Sequence, residues 1–452
     1  MLGSAESLPH GAQVASDVCV VGAGAAGIAL ARELAGSRLR VAVVESGGMQ
    51  PDPTMQALCE GRNVGLPYYP LAETRFRGFG GSTNRWGSWC RPLDALDFED
   101  RPWIPESGWP IPYATLAPYY ARAQAACGVG PLRYDGGFWA AATGHPYVLP
   151  TGPDLGCSVV QMRDRPEGRS FAHLHGAALR RASNVEVLLH ATATVLVADA
   201  GGGAVERLCV RTPAGNDASA VARCFVEHLH LTPARLVLDR RRPRRGYLDR
   251  LPYGPLALRY MYHLSTARQA RHRLANLMLY LEAVPTPRQR HLGRFTWETG
   301  RRAPIDGFAM CCMAEQMPSR ESRVRLCDDR DPLGQPQAAL DWRLAPADRA
   351  SVVRTLRVMD ELVATAGLGR VELHDDDATW ARLTGGHHHM GTTRMHADPA
   401  RGVVDSDGRV HELRNVYVAG TSVFPTSGCA NPTLTAVALT LRLADHLRAI
   451  LE

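Results

Sequence analysis

Two groups of residues in this chain have types and spacings that can do chemistry. The first is Gly22-Ala23-Gly24-Ala25-Ala26-Gly27, a GxGxxG run followed by the apolar stretch Val41–Val44 and then Glu45. Gly22 permits a tight turn, Gly24 lets the backbone approach a pyrophosphate, and Gly27 lets a helix pack closely on a strand. The start of that helix adds free N–H groups and partial positive charge for the phosphates. An acid closing the second strand accepts hydrogen bonds from an adenosine ribose and argues against a 2′-phosphate. The glycine run alone does not choose between FAD and NAD. The second group is His387-His388-His389, with Asn431 further on. Histidine titrates near neutral pH and suits proton transfer. The triplet is also compatible with a polar turn, or with two alternating imidazoles on a metal: in an extended segment residues 387 and 389 share a face and 388 points the other way. No Asp, Glu or Cys lies close enough in sequence to complete a metal site, so no metal is expected. Asn431 suits either a polar contact in a site or the N-cap of the helix that follows it.

The elements that must position these groups follow from the apolar pattern. Residues 17–22 read as a buried strand, 25–34 as a helix and 40–45 as a second strand, which is one βαβ unit. Residues 79–112 are rich in Gly, Trp and Pro and read as irregular, before a helix over 113–127. Strands are expected at 185–198 and 206–211, helices with loops over 230–300, strands at 306–314 and 322–326, and a helix over 345–366 opened by Pro346. The last element is a long amphipathic helix from Thr433 to about Leu451, directly after Asn431-Pro432.

At 452 residues the chain exceeds one ordinary domain, so a two-domain or discontinuous architecture is expected. An apolar fraction of 45% and a charged fraction of 21% are those of a water-soluble globular chain. All 51 basic residues are arginine, which fits the codon bias of a GC-rich bacterial genome and excludes a lysine Schiff base. The densest basic run, Arg240 to Arg245, is broken by Pro243 and has no interleaved aromatics, so it reads as a solvated loop rather than a nucleic-acid surface. The 11 cysteines are scattered, as in reduced cytoplasmic proteins. Neither a signal peptide nor a membrane span is recognisable, and a cytoplasmic location is expected.

Several longer motifs decide the cofactor. Asn415-Val416-Tyr417-Val418-Ala419-Gly420-Thr421-Ser422-Val423-Phe424-Pro425, followed by Asn431-Pro432-Thr433-Leu434-Thr435, resembles the C-terminal signature of the glucose–methanol–choline (GMC) oxidoreductases. The likeness is greatest to the branch of pyranose oxidase and the bacterial fructose and gluconate dehydrogenases. His388-His389-Met390-Gly391-Thr392-Thr393-Arg394-Met395 resembles that branch's HxxGTxRM motif, and Phe79–Gly87 its glycine-rich flavin loop. Trp103–Ile111, Glu315-Gln316, Ser322–Val324 and Asp341–Arg343 agree in order along the chain.

The resemblance implies an α/β fold: a Rossmann-like FAD-binding domain over 1–144, 186–224 and 385–452, and an α+β substrate domain on an antiparallel sheet over 145–185 and 225–384. It implies FAD, with Gly22, Gly24, Gly27 and Glu45 at the ADP half. Arg75, Gly80, Gly81, Ser82 and Asn84 would lie near the pyrophosphate and isoalloxazine, and Gly420, Thr421, Asn431, Pro432 and Thr433 would close the site. Arg85 stands where some relatives carry a histidine bonded to the flavin, so non-covalent FAD is expected. The reaction implied is oxidation of a small-molecule alcohol, sugar-like or a secondary-metabolite intermediate, with His388 as base and Asn431 on the hydroxyl. His228, in Val226-Glu227-His228, resembles a pair at the entry to the substrate domain and reads as structural.

One departure stands out. Relatives carry a strand and a helix, on the order of 30 residues, where Gly215 here runs straight into Asn216. Three outcomes are open: another segment fills the place, the flavin serves a non-oxidative reaction such as elimination or carbon–carbon cleavage, or the chain is a flavin-free scaffold.

Overall fold

A computed structural model describes residues 2–165, 168–212, 222–239, 250–285 and 305–452. The arginine run at 240–245 and the junction at 215–216 lie outside the described residues.

Val41–Val44 is buried at every position, as a strand inside a parallel sheet must be. It is flanked by Val18–Val21 on one side and Val185–Leu189 on the other, with Leu2–Ser4 beyond the latter, all parallel. The helix Ala25–Leu34 crosses this sheet and packs on the final helix, Thr433–Leu451. Ile28, Leu34, Val43, Val187, Leu434 and Leu441 belong to the core between them. The helix Phe171–Arg181, inside the stretch expected for the substrate domain, also packs on Ala25–Leu34. Val18–Val21 is the rim of the sheet: among the described residues no strand pairs with its outer side, and Val21 is 59% exposed.

A second, mainly antiparallel sheet follows the order Leu251–Tyr253, Leu256–Leu264, Leu277–Pro285, Ile305–Glu315, His228–Leu238 and Gly369–Leu373. Leu155–Arg163 pairs with Leu256–Leu264 over nine residues. The helix Pro346–Thr365 covers this sheet, with Leu356, Met359 and Val363 in its core. The helices expected over 230–300 are therefore corrected. Apart from the short helix Thr266–His272, the described part of that stretch is strands and the turns between them. Leu256–Leu264 is buried on both faces, so its apolar run has no alternation to mark it as a strand.

A fully buried ion pair is among the contacts that join the two cores. Arg101, just after the flavin-loop region, donates to both carboxylate oxygens of Glu315 at 2.8 and 2.6 Å, with side chains 1% and 0% exposed. Glu315 also accepts from the backbone N–H of Asn276.

Candidate active site

The glycine turn is built as its residue types require. Gly22 has φ +95°, and a Cβ on Gly27 would lie 1.9 Å from the Gly22 carbonyl oxygen, so helix and strand touch through backbone alone. Gly24 faces open space, and the helix after it has no side-chain cap, so its first N–H groups are presented to whatever lies in front. Glu45 is buried, and its carboxylate accepts from Ala23 N at 2.8 Å and Gly47 N at 2.9 Å. The loop expected at a flavin docks here. Gly80 N donates to Ala23 O at 2.8 Å, and a Cβ on Gly81 would lie 2.7 Å from Gly24 Cα. Ser82 and Asn84 are engaged within that loop: the Ser82 hydroxyl accepts from Phe76 N, and the Asn84 amide donates to Phe79 O and accepts from the Ser170 hydroxyl. This open, uncapped and side-chain-free cradle fits a dinucleotide pyrophosphate. Arg85 is exposed, its guanidinium over the Phe76 ring at 4.8 Å.

The C-terminal motifs form a second unit. Thr393 N and Met395 N donate to Ser422 O and Val423 O, and the Thr421 hydroxyl donates to His389 O at 2.6 Å. Gly420, at φ +133°, faces open space. On the other side Met390 and Val226 exchange backbone hydrogen bonds at 3.1 Å, and Thr384-Gly385 pairs with Leu229-His230. Gly391, at φ +84°, lets this contact form, since a Cβ there would lie 2.3 Å from Cys224 O. Pro233 sits in the bulge that shifts the ladder between Leu231 and Ala234.

This frame brings His388 and Asn431 together. Asn431 Nδ2 is 3.1 Å from His388 Nε2. The N-cap of the last helix is Pro432, with no side-chain cap, so the alternative reading of Asn431 as that cap is corrected; the helix begins at Thr433. His387 and His389 pack on the adjacent Tyr69 and Tyr68, but the backbone at His387 is left-handed (φ +59°) rather than extended as expected from the sequence. His387 stacks on Tyr69 with ring centroids 4.1 Å apart, and His389 Nε2 lies 3.0 Å from the Tyr68 hydroxyl.

Two groups that the sequence did not place in the site, His228 and Glu227, adjoin His388, and a third, Tyr68, holds Glu227. His228 is fully buried, with its Nδ1 2.9 Å from His388 Nδ1 and its Nε2 3.3 Å from Ser427 O. The Glu227 carboxylate accepts from His388 N at 2.8 and 3.0 Å and from His228 N at 2.9 Å, and Tyr68 donates its hydroxyl to it. The expectation of a purely structural His228 is thus revised. Adjacency to Glu227 was the one signal in sequence, and it carried no distance.

Burial, reinforced by His228, His230, His389 and His387, holds the imidazole of His388 well below the usual histidine range, so it is neutral at physiological pH. Burial likewise lowers His228 to about 4 and His230 to about 3. His389 is lowered to about 3 by burial and then by the charge of Arg75, which is the place the exposed Arg75 takes in this site. Burial raises Glu227 to about 7 against the hydrogen bonds from Tyr68 and the backbone amides.

His228, His230 and His388 each offer a ring nitrogen within 4.8 Å of the others, a donor set of the kind a d-block cation uses. Two imidazoles on a tetrahedral zinc would hold their nitrogens about 3.3 Å apart. The 2.9 Å between His228 and His388 is a hydrogen-bond distance, and we read it as one. Beside His230 opens a cleft of about 260 Å³ lined by Thr232, Tyr280, Cys311, Arg382 and Thr384 among others. Among the described residues no helix is long and apolar enough to cross a membrane.

The glycine turn on a parallel sheet is the arrangement of a dinucleotide-binding α/β protein, and it is accompanied by a half-buried histidine–asparagine pair and, at the neighbouring His230, a polar cleft. Residues 318–440 match the family described as GMC oxidoreductase. The chain is similar to 6'''-hydroxyparomomycin C oxidase of Streptomyces lividus, 35% identical over 136 residues that make up 29% of this chain and 24% of that protein. It is also similar to C-glycoside 3-oxidase of Arthrobacter globiformis, 34% identical over 145 residues, 32% of this chain and 27% of the other. These matches span about a quarter of the length of the curated relatives. The crystal structure of pyridoxine 4-oxidase from Mesorbium loti shares the fold with a TM-score of 0.57 and 18% identity, covering 96% of this chain and 99% of that one.

Proposed function

We propose that this chain binds FAD without a covalent link and oxidises the hydroxyl of a sugar-like or secondary-metabolite alcohol. The observation that carries the reading is the contact between His388 Nε2 and Asn431 Nδ2, made by a histidine held neutral. When bound, the flavin accepts a hydride at N5. His388 Nε2 takes the hydroxyl proton, and the Asn431 amide orients the hydroxyl and stabilises the developing alkoxide. The ADP half of the cofactor would rest on Gly22, Gly24 and Gly27 with Glu45 on the ribose. Arg75, Gly80, Gly81, Ser82 and Asn84 would border the pyrophosphate and ring, and Gly420, Thr421, Pro432 and Thr433 the far side. A guanidinium at position 85 is not a nucleophile, which supports non-covalent binding. The hydroxyl and guanidinium lining of the cleft beside His230 suits a polyhydroxylated substrate, and the named relatives are an oxidase of 6'''-hydroxyparomomycin C and one of C-glycosides.

The test is an absorbance spectrum of the purified full chain, followed by acid precipitation and anaerobic titration with candidate alcohols. A yellow protein that releases flavin on precipitation and is bleached by an alcohol supports the reading. A competing one is favoured by the open rim at Val18–Val21, beside the cofactor turn. Under it the chain is a flavin-free scaffold, and it predicts a colourless protein that FAD cannot reconstitute. A yellow protein that no alcohol bleaches points instead to a non-oxidative flavin enzyme.

A further inference from the structure

Resting on the reading of His388 as base, we propose that His228 is the positioning residue that fixes the tautomer of that base, with the Ser427 carbonyl as the anchor. Ser427 O can only accept, and His228 Nε2 faces it at 3.3 Å, so Nε2 carries the proton of neutral His228. Its Nδ1 is then a lone pair. His388 Nδ1 faces that lone pair at 2.9 Å and must be its donor. Neutral His388 has one ring proton, so its Nε2 is left as a lone pair, and this is the atom beside Asn431 Nδ2 at 3.1 Å. The opposite tautomers would set a lone pair of His228 against the Ser427 carbonyl and spend the base's proton on the substrate side. A fixed carbonyl therefore reaches through two imidazoles to decide which nitrogen of His388 can take a proton.

The geometry holds both rings to this task. His228 is fully buried, and its backbone N–H and that of His388 bind the same Glu227 carboxylate, so the two residues cannot shift independently. The 2.9 Å between the two Nδ1 atoms is a direct contact with no room for a water between them. During turnover the substrate O–H proton goes to His388 Nε2 and the C–H hydride to the flavin. His228 keeps its own proton and accepts from His388 Nδ1–H before and after the step.

The test uses the full chain as purified. His228→Leu removes the acceptor, whereas His228→Asn returns an oxygen acceptor near the place of Nδ1. The expected result is a loss on the order of 100-fold in kcat for His228→Leu, with KM little changed, and recovery of most of it in His228→Asn. Equal loss in both variants, or none in either, overturns the proposal. Long-range 1H–15N spectra of histidine-labelled wild-type protein give a second readout that needs no variant of His228 to fold. His228 is expected as the Nε2–H tautomer and His388 as Nδ1–H; the reverse pair overturns the inference. His388→Ala separates the two levels: if it leaves alcohol-driven flavin reduction intact, the base reading itself fails, whereas a dead His388→Ala beside an unaffected His228→Leu sinks only the tautomer assignment.

Discussion

The two halves of the candidate site are built to different standards of closure. His388 is held by partners from distant parts of the chain: His228 from a strand 160 positions away, Glu227 with Tyr68 behind, and Asn431 in front. Around Gly22–Gly27 the turn is equally tight, but the strand that leads into it is the rim of its sheet, with Val21 turned to solvent. The proton-handling half thus depends on many distant contacts, while the nucleotide half depends on local backbone geometry. Damage to the first should appear as lost chemistry in a folded protein, and damage to the second as lost cofactor.

The largest effect expected is on rate. His388→Ala should slow alcohol-driven flavin reduction by about 10²–10⁴-fold while the flavin stays bound; stopped-flow reduction under anaerobic conditions reads it. Next comes Gly27→Val, whose new side chain would overlap the Gly22 carbonyl. It should cost about 1–3 kcal/mol of stability and release flavin, and purified variant with a full complement of FAD would contradict it.

A third prediction uses pH. The folded pKa of His230, about 3, lies below its unfolded value, so the unfolded chain binds the extra proton and stability falls as pH drops below about 6.5. His228, His388 and His389 act in the same direction, whereas Glu227, raised to about 7, facing them, acts oppositely as it becomes protonated. A difference isolates one group. His230→Leu should gain on the parent by up to about 1.4 kcal/mol per pH unit between roughly 6.5 and 4, in denaturant titrations at several pH values. The same slope in both proteins would refute the shift. The smallest effect belongs to the rim: Val21→Thr should change stability by less than about 0.5 kcal/mol. A large loss there would mean the rim is covered in solution.

Much of this was legible in the sequence where the determinants are local. The helix Ala25–Leu34 and the final helix from Thr433 were readable from glycine and proline punctuation, and the motifs that pair His388 with Asn431 from their order along the chain. What escaped was non-local. Nothing in Glu227-His228 tells that the imidazole meets another residue 160 positions on, and nothing in Ser427 tells that its carbonyl points at a ring. The strands between His228 and Pro285 escaped for a different reason. The central one, Leu256–Leu264, is buried on both faces and shows neither alternation nor a helical stripe.

The joint between Arg101 and Glu315 has a consequence for substitution. Both side chains are out of water, so removing either one alone would leave the other charge buried and unpaired, at about 3–5 kcal/mol. Replacing both together by apolar side chains of similar volume leaves no such orphan and should cost far less. The contact between the two cores is therefore a place where a second substitution can repair the first.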